Sequence, residues 1–377
     1  MNTEVEKNSD RLIALDVFRG ITVAGMVLVN NPGNWSAVYA PLEHAPWNGW
    51  TPTDMIFPFF LFIVGTAIAL ALGRRLEQNR VKRAVYLKIF RRAAIVFLLG
   101  LFQMAFPFFD LAHLRFPGVL QRIALCYLIS SLIFLHTNWK QQTIIAAGCL
   151  IFYWTVMTLV PVPGGTAGDL SVEGNFAGYI DRLVIGPNHI WTVSKFYDPE
   201  GIFSTLPAIA TCLAGVLTGT WLKSRRSDEE KVSAVFFFGI LLTAIGWIWS
   251  FWFPINKSLW TSSYAVFMAG LTLCFFGSCY WLIDIKNYRK WTKPFAIFGS
   301  NALTLYFSSS ILARIINNIT WQSASGAATN IQKWIFDTLF SPFAAPHNAS
   351  LLYSIVYIFL WLFLMWLLYR KRILIKV

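Results

Sequence analysis

A chain of 377 residues that is 56% hydrophobic and only 13% charged cannot cover a water-facing surface, since ordinary soluble domains carry about 25% charged residues. With 17 Trp and 33 Phe it has to meet lipid. The net charge of +13 would suggest nucleic acid in a soluble protein, but its distribution along the chain points to membrane topology instead.

Crossing a bilayer takes roughly 20 mostly apolar residues. About ten segments qualify by that length: 12–30, 54–73, 88–109, 118–136, 142–160, 202–222, 232–253, 262–283, 294–313 and 350–369. The expected fold class is therefore all-α, a polytopic membrane protein built as a bundle of about ten transmembrane helices. It is expected to form one domain over 1–377, with a polar tail at 1–11 and long loops at 161–201 and 314–349. The tail MNTEVEKNSDR does not resemble a cleavable signal, because the first apolar span holds Asp16 and Arg19 and lacks a clear cleavage site. Most of the 31 Lys and Arg fall on one set of connections, including RRLEQNRVKR at 74–83, KIFRR at 88–92, KSRR at 223–226, KNYRKWTK at 286–293 and RKR at 370–372. The positive-inside rule makes these stretches and both termini cytoplasmic, and it turns the two long loops outward. Cys126, Cys149, Cys212, Cys274 and Cys279 lie in apolar spans without metal-ligand or redox spacing, so they read as small buried hydrophobes.

Polar residues inside spans cost at least ~2.5 kcal/mol each when charged, so each needs a reason. Asp16 and Arg19 stand three apart on the first span and share a face, either as a self-neutralising pair or as a functional one. Next comes the loop NNPGNWSAVYAPLEHAPWNGWTPTD, which places His44 among Glu43, Trp47, Asn48 and Asp54. A neutral imidazole takes a proton near pH 7, so His44 is the first candidate for chemistry; the alternative is an interfacial loop whose Trp and His anchor at headgroups. Arg91 and Arg92 open the third span and suit snorkelling. Arg122, beside Gln121, sits at a non-cytoplasmic helix start against the charge bias, where it is expected to face the interior and an anionic partner. Asp198 and Glu200 in YDPEGIFSTLPAI suit a helix start or a cationic substrate. Asn301 in FGSNALTLYFSSS marks close helix packing or a polar cavity. The His and carboxylates lack tight ligand spacing, so no metal is expected. The chain contains no phosphate-binding or nucleophile-elbow motif.

The stretches LDVFRGITVAGMVLVNN, HAPWNGWTPTDMIFPFFLFIVG, FPGVLQRIAL, YDPEGIFSTLPAI and NKSLWTSSY follow in this order from residue 15 to about 264. Together they resemble the transmembrane acetyltransferases typified by heparan-α-glucosaminide N-acetyltransferase, with a weaker match through 294–310. The lysosomal enzyme's large lumenal domain has no counterpart in this sequence, so recognition of a long heparan chain is not expected. The resemblance implies that an acetyl group passes from cytoplasmic acetyl-CoA to the amine of glucosamine, or of a glucosamine-terminated saccharide, across the membrane. It implies His44 as the catalytic histidine and Asn30 as the catalytic asparagine, a homodimer, and residence in a bacterial inner membrane.

The chemistry of these residues fits. Acyl transfer to an amine needs a base, for which His44 is suited, and an oxyanion donor, for which the Asn30 amide is suited. Direct transfer is favoured over an acetyl-histidine intermediate. The phosphates of coenzyme A need cations, and Arg19, Arg91, Arg92 and the deeper Arg122 are the candidates. Trp47, Asn48, Asp54, Asp198, Glu200 and Asn301 are the candidate substrate contacts. Competing expectations are a transporter or flippase of an amino sugar or lipid-linked sugar, and acetylation of a hydroxyl in place of an amine.

Overall fold

Because a bilayer offers the backbone no hydrogen-bond partners, the apolar runs have to satisfy their own amides, and they do so as helices. The computed structural model describes residues 12–77, 83–322 and 328–375. The expected cytoplasmic tail 1–11 and part of the basic stretch 74–83 lie outside them. The described helices are α1 (Ile13–Val29), α2 (Pro52–Glu77), α3 (Arg83–Ala105), α4 (Val119–His136), α5 (Trp139–Leu159), α6 (Phe176–Val184) and α7 (Thr205–Leu222). They continue with α8 (Asp228–Trp249), α9 (Ser262–Tyr280), α10 (Lys293–Ser300), α11 (Ala302–Asn318), α12 (Ile331–Leu339) and α13 (Pro346–Arg370).

Helix stands at every expected span. Among the described residues seven are long and apolar enough to cross a membrane: α2, α4, α5, α7, α8, α9 with its continuation to Ile285, and α13. α10 and α11 qualify only as a pair, bent by 81°. α1 has 17 residues, and α3 begins with Arg83, Lys88, Arg91 and Arg92, so neither meets that standard on length and composition alone. The ninth span, expected over 294–313, is thus two helices. Asn301 leaves the helical region at φ −130° and ψ 40°. Its amide donates to Ile373 O at 3.0 Å and accepts from Ile375 N–H at 2.9 Å, tying the C-terminal tail to the bend.

The long stretches expected as loops also carry structure of their own. Asn175 caps α6, accepting from Gly178 N–H at 2.7 Å. α11 extends to Asn318, and a two-stranded antiparallel hairpin, β1 (Thr320–Gln322) with β2 (Ala328–Asn330), leads into α12. Short capped elements satisfy backbone groups that an irregular connection would leave to solvent.

The bundle is built around α2, α7 and α9, whose apolar windows are 67–72% buried, against 17% for α5 and 22% for α8. Apolar side chains such as Ile144, Ile151, Phe152, Phe237, Phe238, Phe359 and Phe363 point outward from α5, α8 and α13, as a lipid-facing surface requires. Inside, backbones approach closely through glycines: a Cβ on Gly65 would overlap Cys212 O, and one on Gly215 would overlap Phe62 O. α1 and α10 meet in the same way, with Gly20 against Phe295 O and Gly299 against Asp16 O. The alternating helix directions gather the connections 30–51, 106–118, 160–204 and 250–261 at one end. There Gly49 N–H donates to Ile255 O at 2.7 Å, and Phe116 N–H donates to His189 O at 3.0 Å. Ala14, hydrogen-bonded to Asp284, and Ile373, hydrogen-bonded to Asn301, lie at the opposite end, together with the connections 223–227 and 286–292.

Candidate active site

α2 begins at Pro52, and Asp54 sits in its first turn, where unpaired backbone N–H groups favour a carboxylate. Asp54 is 1% exposed and organises the preceding loop. Its Oδ2 accepts from Ala45 N–H, Thr51 N–H and the Thr51 hydroxyl at 3.0, 3.0 and 3.2 Å. Its Oδ1 lies 2.6 Å from Nδ1 of His44, and its carbonyl accepts from the Tyr264 hydroxyl at 2.6 Å. A carboxylate at Nδ1 places the imidazole proton there, which makes Nε2 the acceptor nitrogen. The His44 side chain is 49% exposed. The imidazole is therefore open to a substrate, while the group that orients it is shielded from water.

Nε2 faces Nζ of Lys257 at 3.2 Å, from the connection between α8 and α9. Burial pushes the Lys257 ammonium below its ordinary range against the opposing pull of Glu200 and Asp54, with Arg122 and Arg115 also pushing it down. Behind this pair lies an ion cluster. Arg115 donates Nε to Asp198 Oδ2 at 2.8 Å and Nη2 to Asp198 Oδ1 and Glu200 Oε2, each at 2.6 Å. These carboxylates raise the Arg115 guanidinium above its usual range although burial opposes them. Glu200 is lowered in turn, with the Arg115, Lys257 and Arg122 charges outweighing its burial. Asp181 on α6 accepts from Ile202 N–H at 2.8 Å and Asp198 N–H at 3.3 Å, holding the acidic turn in place. Burial raises it to about 7.

Arg122 is 1% exposed at the start of α4, as expected of an interior arginine. Its Nη2 donates to Gly201 O at 3.0 Å and Ser204 Oγ at 2.5 Å, and its guanidinium lies 5.1 Å from the Trp260 ring centroid. Among the described residues its Nε and Nη1 have no hydrogen-bond partner, nor does the Gln121 amide. Donors left this way inside a protein are costly, and a ligand or water would satisfy them.

The remaining expected site residues divide between the two ends. Trp47 donates Nε1 to Leu170 O at 2.9 Å and meets Tyr197 edge-on at 4.9 Å. Asn48 Oδ1 accepts from Asn256 Nδ2 at 3.2 Å. Both line the His44 end. Asp198 and Glu200, expected at a helix start or beside a cationic substrate, are paired with Arg115. Asn30 is exposed at the C-cap of α1, and its amide has no partner among the described residues; no hydrogen bond joins it to His44. Arg19 pairs with Asp16 and donates Nε to Gly299 O at 2.8 Å, while Arg92 lies over the Tyr127 ring at 5.0 Å. Arg19, Arg91 and Arg92 stand at the basic end, so they do not gather with Arg122. Asn301 is also remote from His44, with both amide atoms held by the tail. Sequence reasoning missed Lys257, Arg115 and Asp181. The first two carried a signal, since each is a basic residue on the side that the charge bias leaves poor in them.

The family model described as heparan-alpha-glucosaminide N-acetyltransferase, catalytic, matches residues 11–248. The chain belongs to this family. The mouse protein named heparan-alpha-glucosaminide N-acetyltransferase is 30% identical over 315 residues, covering 68% of this chain and 47% of that protein. The human protein of the same name is 30% identical over 312 residues, covering 68% and 46%. The chain thus spans about half the length of these relatives. The matched region contains Asn30, His44, Asp54, Arg122, Asp198 and Glu200, and stops short of Lys257.

Proposed function

We propose that the protein is an integral-membrane N-acetyltransferase. It moves an acetyl group from acetyl-CoA at its basic, cytoplasmic end to the amine of glucosamine, or of a glucosamine-terminated saccharide, at the opposite face. The observation that carries this reading is the imidazole of His44, oriented by a shielded carboxylate 2.6 Å away and half open to an approaching acceptor. His44 Nε2 takes the amine proton as nitrogen attacks the thioester carbonyl. The Asn30 amide, which has no competing partner among the described residues, donates to the oxyanion. Transfer is direct. Arg91 and Arg92 at the basic end, with Arg19 on α1, offer cations to the donor's phosphates, and the unpartnered nitrogens of Arg122 offer a further one along the interior. In this reading every expected span crosses the bilayer and both termini are cytoplasmic. Family membership supports acetyl transfer; the donor, the acceptor, the sidedness, the homodimer and the inner-membrane residence belong to the proposal.

The test is purified protein in detergent with acetyl-CoA and glucosamine. Free thiol is expected only when both are present, and N-acetylglucosamine, which has no free amine, should release none. Uptake of glucosamine into liposomes without acetylation would replace this reading with a transporter.

A further inference from the structure

Lys257 is the charged group beside His44 for which the reaction above has no use, and its position is built rather than incidental. Three contacts in register join the two connections: Gly49 N–H to Ile255 O at 2.7 Å, Asn256 Nδ2 to Asn48 Oδ1 at 3.2 Å, and Lys257 Nζ to His44 Nε2 at 3.2 Å. The turn that carries the lysine is closed on itself. Leu259 N–H donates to Asn256 Oδ1 at 2.8 Å, Thr261 N–H to Asn256 O at 3.1 Å, and Trp260 N–H to Lys257 O at 3.1 Å. Trp260 completes the turn at φ 50°, a left-handed conformation that a bulky residue keeps only where its surroundings fix it. Its ring is fully buried beneath the Arg122 guanidinium. The ammonium is thereby held against the one imidazole nitrogen that has to accept a proton.

A lysine whose only task was charge balance would gain more by facing Glu200 or Asp54 directly. Acyl transfer from a thioester has two proton events, however. The amine loses a proton, and the departing sulfur gains one. His44 accounts for the first.

We infer that Lys257 is the general acid that protonates the leaving thiolate, paired with His44 as the base. This rests on the acyl-transfer reading. The acceptor amine displaces Nζ from Nε2, and the N–C bond forms as the amine proton passes to Nε2. The C–S bond breaks as Nζ gives its proton to the sulfur. The imidazolium then returns its proton to the neutral lysine. One proton has moved from amine to thiol, and both side chains are restored without any co-reactant. The groups around Nζ set its acidity: burial, Arg115 and Arg122 favour the neutral amine, while Glu200 and Asp54 favour the ammonium. The net direction is downward, and a lowered ammonium gives up its proton more readily in general-acid transfer.

The experiment uses the purified full chain with glucosamine and two donors, acetyl-CoA and the S-acetyl thioester of a nitro-substituted thiophenol, whose thiolate leaves without needing a proton. Lys257→Met and Lys257→Arg are each expected to lose about 10²–10⁴-fold in kcat with acetyl-CoA, yet to stay within about tenfold of wild type on the activated thioester. The alkaline fall in the wild-type rate should also vanish in both variants. Equal losses on both donors, or near-normal acetyl-CoA turnover by Lys257→Arg, would overturn the assignment. Wild-type protein that acetylates glucosamine with neither donor would instead overturn the acyl-transfer reading, and this inference with it.

Discussion

His44 depends on Asp54 for its tautomer, so the first prediction concerns the carboxylate. Asp54→Asn keeps an acceptor for the Ala45 and Thr51 amides but withdraws the charge that holds the proton on Nδ1 and stabilises the imidazolium. Acetylation of glucosamine should fall by about 10²–10⁴-fold, with little change in the unfolding midpoint measured in detergent. Asn30→Ala should cost about 2.7–4 kcal/mol in the barrier if the amide meets the oxyanion; near-normal kcat would remove it from that role. His44 stood out in the sequence because histidine is scarce, with five in 377 residues, whereas Asn30 was singled out only by the family resemblance. The pairing of Lys257 with His44 could not be read there, because 213 positions separate the two and only the packing of two connections brings them together. Arg115 was hidden for the same reason. It neutralises Asp198 and Glu200 from 83 and 85 positions away, so a pair that reads as waiting for a cation already holds one.

Among the elements, α6 and the acidic turn it holds carry a pH prediction. Asp181 titrates near 7 in the folded protein and near 3.8 when free, so between those values the folded state binds more protons than the unfolded one. Its contribution to stability is complete below about pH 4 and is lost as the pH rises through 7. Glu200 is shifted the opposite way; its contribution is present above its unfolded value and is lost in acid. From pH 5 to 7.5, therefore, the unfolding midpoint should decline in wild type and should decline less in Asp181→Asn. A midpoint series that is equally steep in both would separate Asp181 from that decline. For α2 and α7 the sensitivity is steric. A side chain on Gly215 has to displace the Phe62 carbonyl, so Gly215→Val should cost at least about 1–3 kcal/mol through overpacking, read as loss of folded yield in detergent. The long apolar helices were legible from run length, since that property belongs to each run by itself, whereas the short α6 and α12 inside the expected loops were not. The bend at Asn301 was not, because what holds it is a tail more than 70 residues away.

Across the whole molecule the proposed base and the Arg- and Lys-rich turns lie at opposite ends. The connections with His44, Lys257 and Arg115 share one end, and the Arg- and Lys-rich turns share the other. Single cysteines placed at Ser36 and Ser227, in a background without the native five, should react with a membrane-impermeant maleimide from opposite sides of a vesicle, Ser227 from the cytoplasmic side. Labelling of both from one side would sink the proposed topology. Along α1, Arg19 and Asn30 are separated by about 16 Å at 1.5 Å per residue, the span that the proposed donor, with its phosphates at Arg19, would bridge.

The backbone contact between α1 and α10 gives that span a further meaning. Where Gly20 and Gly299 let two main chains touch, no cushion of side chains remains to be compressed, and α1 is clamped along the half that holds Arg19. The helix then acts as a gauge of fixed length rather than a piston. A donor anchored by its phosphates but built with a shortened arm would be held away from the imidazole, however tightly it bound. A small thioester without phosphates would be free to diffuse to the same atom.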